Sequence, residues 1–324
     1  MIVSLAGKGG SGKTALAALL LKAALQDPSR RVLVIDADSS MGLPFALGVE
    51  VEKTVGDVRD GIIKDPHRRK EVMDLPIKEV VAEALQAGPG FDLLVMGRGE
   101  GPGCYCGIND LLRYGIETLS EQYDLTIVDG EAGPEQVSRR VLSNVDHLLI
   151  VSDMSQRGLH TAQLIWEVAS GNLLAKGARL GVVVNKVKPE SAGLVDQARQ
   201  MGMEVWGSVP ADEELSGSDT SGAPLVKLSD SCPAFVAVLE LARRIGLTQA
   251  GTAEPSTDQC FVPTERCQEG LKPRQGLTPR ASTPADWVGH VLEAFPGHGK
   301  AHAPGIHTCR LGVVKKGGPL LGGF

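Results

Sequence analysis

"GKGGSGKT", Gly7–Thr14, stands between an apolar run, "MIVSLAG" (1–7), and a stretch of strong helix formers, "TALAALLLKAALQD" (14–27), which Pro28 closes. Its spacing is G-x-x-x-x-G-K-[ST], carried by Gly7, Gly12, Lys13 and Thr14. Gly9, Gly10 and Ser11 complete the loop. Glycines let backbone N–H groups turn inward around phosphate oxygens, and the helix N-terminus adds a field that favours an anion. Lys13 is placed to reach the β- and γ-phosphates, and the Thr14 hydroxyl to ligate Mg²⁺. A buried strand, a glycine loop and a helix in this order predict a doubly wound, mostly parallel α/β sheet.

The rest of the chain supports that prediction. Strand-length apolar runs recur at 31–38, 91–97, 123–130, 147–153, 178–187 and 204–210. Several are apolar throughout, as expected of parallel strands covered on both faces. Helical patterns lie between them at 108–121, 157–170, 191–201 and 233–246. From residue 249 the chain turns rich in Pro, Gly, Ser, Thr and Gln, with one short helical pattern at 284–295. Residues 1–248 therefore read as one nucleotide-binding domain, and 249–324 as a linker and disordered tail. Periodicity does not give the strand order.

Composition narrows the function. Residues 1–250 hold 25 Lys and Arg against 33 Asp and Glu. That acidic balance argues against a nucleic-acid partner, which needs clustered cations. No apolar run approaches the roughly 20 residues of a membrane span, and no basic segment precedes the first apolar run, so a membrane or secretory role is not expected. The expected compartment is the cytoplasm. Six cysteines in such a chain point to metal or redox chemistry rather than a disulfide framework.

Lys8 sharpens the reading of the loop. K-G-G-x-G-K-T resembles the deviant Walker A motif of the P-loop ATPases that include nitrogenase iron protein, MinD, ParA and ArsA. The resemblance implies ATP hydrolysis in a homodimer, with Lys8 reaching the nucleotide of the facing subunit. "VIDAD" (34–38) resembles the switch I strand, where Asp38 positions or activates the attacking water and Asp36 supports the site. This chain has Gly42 where the family often has a small polar residue. "LTIVDGEAG" (125–133) resembles a Walker B strand entering switch II; Asp129 would hold Mg²⁺ through water and the Gly133 N–H would sense the γ-phosphate. "VVVNKV" (182–187) and "SVPADEEL" (208–215) resemble the adenine-contacting segments, with Asn185, Pro210 and Asp212. No T/N-K-x-D guanine signature is evident, so ATP is expected over GTP.

"GPGCYC" (101–106) follows the 91–97 run. In an extended segment residues i and i+2 face one side, so Cys104 and Cys106 suit a single metal. Two thiolates fall short of the usual four ligands, and a two-fold dimer would supply the other two. With "DGEAGPEQVSRR" (129–140) and "VSDMSQRGLHTA" (151–162), this stretch is similar to the CooC family of accessory ATPases, and to the related AcsF factors, over residues 1–246. The resemblance implies Ni²⁺ (or Zn²⁺) shared between two C-x-C pairs and delivered to carbon monoxide dehydrogenase, or to acetyl-CoA synthase. A MinD- or ParA-like positioning ATPase is the alternative. An iron-protein-like electron carrier is disfavoured, because 129–135 reads "DGEAGPE" with no cysteine. Cys232, before Pro233 at a helix start, reads as structural.

Overall fold

The computed structural model describes residues 1–72, 74–97, 117–133, 145–173, 177–188 and 193–248. Within them one eight-stranded sheet runs in the order β3-β4-β2-β5-β1-β6-β7-β8. The strands are β1 (Ile2–Gly7), β2 (Val32–Asp36), β3 (Leu85–Gly88), β4 (Phe91–Val95), β5 (Leu125–Ala132), β6 (His147–Ser152), β7 (Arg179–Val187) and β8 (Val205–Pro210). Every pairing is parallel except the edge hairpin β3–β4. All seven strands expected from apolar runs are present. The eighth, β3, was not anticipated: "LQAG" is four residues long, half polar, and sits at the sheet edge.

Two cores flank the sheet. On one face pack α1 (Lys13–Ala24) and the helix Pro233–Arg244, with Leu16, Leu19, Leu20 and Phe235 closed against Val3, Leu5, Val34 and Ile127. On the other lie the helices Val55–Lys64, Ile77–Ala82, Gln156–Val168 and Gly193–Gln200, through Val58, Val80, Leu159, Ile165 and Ala198. Central strands β1, β2 and β6 are buried at every position, which is why their sequences do not alternate. Residues 42–82 hold four short helices that no apolar period announced. The first helix also ends earlier than Pro28 implied, at Ala24, with Leu25 as its C-cap. The expected helix at 108–121 falls largely, and residues 249–324 wholly, outside the described residues.

This architecture gathers the loops that follow β1, β2, β5 and β7 at the C-terminal edge of the sheet, where α/β folds bind ligands. Phe235 is fully buried beneath α1, with Lys22 Nζ 4.6 Å from its ring centroid. Phe235→Ala is expected to destabilise the domain by about 3–5 kcal/mol, read from urea unfolding, because the cavity cannot collapse between α1 and the sheet.

Candidate nucleotide-binding site

The loop after β1 has the geometry that its glycines foretell. Gly12 adopts φ +94° as the residue preceding α1. A side chain at Gly12 would collide with the Asn185 amide, and one at Gly7 with the Val151 carbonyl. No side chain caps α1 and its first turn holds no acid. Other helices are capped by side chains: Val55–Lys64 by Thr54, Gln156–Val168 by Ser155 and Glu213–Ser221 by Asp212. The first-turn N–H groups of α1 are thus left for an anion.

Charge converges on this loop. Lys13 is 6% exposed, and its Nζ lies 3.4 Å from the carbonyls of Gly7 and Lys8. Burial holds its pKa below the usual lysine value, opposed by the carboxylates of Asp129, Asp38 and Glu131. Asp36, the last residue of β2, and Asp129, within β5, are register partners, and both are buried. Asp36 accepts from the backbone N–H of Asp38 and of Leu43, each at 3.0 Å, which ties down the loop carrying Asp38. Burial first, then the neighbouring Asp129, pushes its pKa up to about 7. Burial pushes Asp129 to about 6, against a hydrogen bond from the Thr14 hydroxyl and the charge of Lys13.

Asp129 Oδ1 is buried without a hydrogen-bond partner. An orphaned carboxylate oxygen beside a threonine hydroxyl fits a hard divalent cation such as Mg²⁺, which takes oxygen ligands. Ser11 Oγ is likewise buried and unpartnered. A cleft of about 660 Å³ opens at Lys13 and Thr14. Gly9, Gly10, Gly12, Lys13 and Thr14 form one wall, Asp38 and Ser40 another, and Asn185, Pro210 and Asp212 a third. The fold therefore brings together residues spread from position 9 to position 212.

Several predicted residues are already engaged. Asn185 Nδ2 donates to the Ser11 carbonyl at 2.9 Å. The Asp212 carboxylate accepts from the N–H groups of Leu215 and Ala234 and from Cys232 Sγ at 3.3 Å. Desolvation opposes ionisation there, but these bonds prevail and its pKa lies below the usual value. Cys232 is the buried N-cap of the Pro233 helix, in line with a structural part. The Gly133 N–H bonds the Gly7 carbonyl at 3.1 Å. Lys8 pairs with Asp153 of its own chain at 2.8 Å. Sequence reasoning missed Asp153 and Lys186; the carboxylate following β6 was the visible signal for the first. Cys104 and Cys106 lie outside the described residues.

A model of the CobQ/CobB/MinD/ParA nucleotide-binding domain matches residues 2–225. The chain belongs to this family. An uncharacterized ATP-binding protein of Methanocaldococcus jannaschii is 41% identical over 250 residues, covering 76% of this chain and 98% of the relative. The carbon monoxide dehydrogenase accessory protein CooC of Rhodospirillum rubrum is 28% identical over 271 residues, covering 77% and 99%. Among solved structures, MinD of Aquifex aeolicus superposes with a TM-score of 0.57 at 24% identity, covering 78% of this chain and 99% of that one. The family is one of ATP-binding P-loop ATPases. Among the described residues no helix is long and apolar enough to cross a membrane, and no three His, Cys, Asp or Glu side chains gather as a metal cluster.

The raised pKa of Asp36 fixes a sign. The folded chain keeps this proton to about pH 7, whereas the unfolded chain releases it near pH 4. The contribution is full below about pH 4 and is lost as pH rises through about 7. Asp36→Asn is therefore expected to flatten the dependence of the urea midpoint on pH between about 4 and 7, measured without nucleotide. Parallel curves for the two proteins would contradict the assignment.

Proposed function

We propose that the protein is an ATP-hydrolysing metallochaperone that dimerises with ATP and delivers nickel to carbon monoxide dehydrogenase. One combination carries the reading: a two-lysine phosphate loop in a chain that is similar to CooC over nearly the whole of that relative, together with the C-x-C pair Cys104 and Cys106. The chain leaves β4 at Val95, whose register partner is Asp36 at the nucleotide edge, and the cysteines follow in sequence. Acetyl-CoA synthase is the alternative client.

The roles follow from chemistry. The N–H groups of the loop and α1 receive the phosphates, and Lys13 meets the terminal ones. Thr14 and Asp129 would hold Mg²⁺, which when bound would supply positive charge beside the phosphates. Asp38, fixed through Asp36, orients the attacking water. Asn185, Pro210 and Asp212 border the cleft where the base lies. Lys8 acts across the dimer only after exchanging Asp153 for the partner's nucleotide, so dimer formation must overcome that pair. Both side chains are partly buried, 35% and 19% exposed, so giving up the pair is a cost that closure has to offset. Closure of the dimer brings two C-x-C pairs to one soft metal site of four thiolates.

The test is metal content and size-exclusion behaviour of wild type and of Cys104→Ala/Cys106→Ala, with and without ATP. The wild type should bind about one Ni²⁺ or Zn²⁺ per dimer, the stoichiometry of a four-thiolate site. The double variant should lose the metal and keep ATP binding. Metal retained in the double variant refutes the site.

A further inference from the structure

Two consecutive side chains near the end of β7, both bordering the cleft, grip the phosphate loop. Asn185 Nδ2 donates to the Ser11 carbonyl at 2.9 Å, and Lys186 Nζ to the Gly10 carbonyl at 3.1 Å. In a regular strand adjacent side chains point to opposite faces. Both reach one loop because the backbone is irregular between them. Val184 pairs with Ser208 and Val187 with Pro210, so β7 carries one residue more than β8 in this interval. Such a bulge re-aims side chains beside functional sites.

Within the bulge Lys186 has φ +59°. That is left-handed backbone, where glycine is the undemanding occupant and a long side chain is strained. Among the described residues only Met41 shares this feature outside glycine. Fold stability does not account for a lysine here, because glycine would be the more stable choice. Residues kept in strained conformations collect at ligand sites. The side chain also runs along the loop: Lys186 Cε lies 3.8 Å from where a Cβ on Gly12 would stand.

Holding these carbonyls fixes the rest of each peptide. A trans peptide sets each C=O opposite the next N–H. With the Gly10 carbonyl held by Lys186, the Ser11 N–H is fixed too, and it bonds the Lys8 carbonyl at 3.2 Å. With the Ser11 carbonyl held by Asn185, the Gly12 N–H is fixed as well. Phosphate loops bind anions through backbone N–H groups, and a loop whose peptides are already fixed loses less freedom on binding.

We propose that Lys186 is a positioning residue of the nucleotide site: it fixes the Gly10 carbonyl and presets the loop for a nucleoside di- or triphosphate. The inference rests on reading Gly7–Thr14 as that site. Lys186 also borders the cleft, and its part in the proposal is the bond to the loop backbone.

The experiment uses the full chain with three substitutions at this position. Affinity for Mg²⁺–ADP is measured by calorimetry and the thermal midpoint without nucleotide. Lys186→Met keeps the stem and removes the ammonium; Lys186→Gly also relieves the backbone. Both should weaken ADP binding about ten-fold, the size of one charge-assisted hydrogen bond. Lys186→Gly should at the same time raise the thermal midpoint, an outcome that a merely structural lysine does not give. Lys186→Arg should bind within about three-fold of wild type, since it restores the donor. ADP affinity within about two-fold of wild type in the Met and Gly variants overturns the proposal, as does a Gly variant that loses affinity and stability together. Lys13→Ala separates this from the underlying reading: unchanged ADP binding there removes the site itself.

Discussion

A desolvated ammonium facing desolvated carboxylates is the constraint on which the rest of this structure depends. Lys13, Asp36 and Asp129 are all at least nine-tenths buried, at the start of α1, at the end of β2 and within β5. Isolated buried charges of this kind are expensive. Burial depresses Lys13 and raises both acids, while Lys13 and Asp129 each favour the other's charged form. The arrangement persists because the sheet fixes the strands in register, with Asp36 opposite Asp129. It stays unbalanced because Asp129 keeps an oxygen without a partner. A site that holds spare charge and spare acceptors in this way is built for an ionic ligand with a cation.

The sheet and the helices are the means of holding that cluster. Central strands apolar on both faces sit between two hydrophobic cores. Their C-terminal ends, where the apolar pattern stops, carry Gly7, Asp36, Asp129 and Asn185. Backbone bonds then connect the elements across the site. Gly133 N–H meets the carbonyl that Lys13 also approaches, and Asp36 fixes the turn bearing Asp38. The lysine is thereby linked through the Gly7 carbonyl to the end of β5.

Much of this was legible in the sequence. The loop, the seven long strands and the carboxylates at strand ends stand out because burial on both faces leaves continuous apolar runs that end abruptly in charge. Strand order was not legible, since pairings such as β1 with β5 join residues more than a hundred positions apart. β3 and the helices of 42–82 escaped because short, half-polar edge elements have no period to detect. Lys186 escaped for a different reason: a positive φ in a lysine leaves no mark on composition, whereas glycines at 7, 10 and 12 advertise theirs. Asn185 is expected from the resemblance at the base; the structure places it on the cleft wall, with its amide also holding the Ser11 carbonyl. Resemblance located the residue, and only geometry shows what it holds.

The account joins an ATP cleft to a thiolate pair, and that junction is open to one direct measurement. The affinity for Ni²⁺ is determined with and without a non-hydrolysable ATP analogue, and the affinity for the analogue with and without Ni²⁺. If nucleotide closes a dimer that completes the metal site, each ligand must tighten the other by the same factor. A common factor of about ten or more is the predicted result, in the usual range of coupling between sites. Affinities that do not depend on the other ligand would contradict the account.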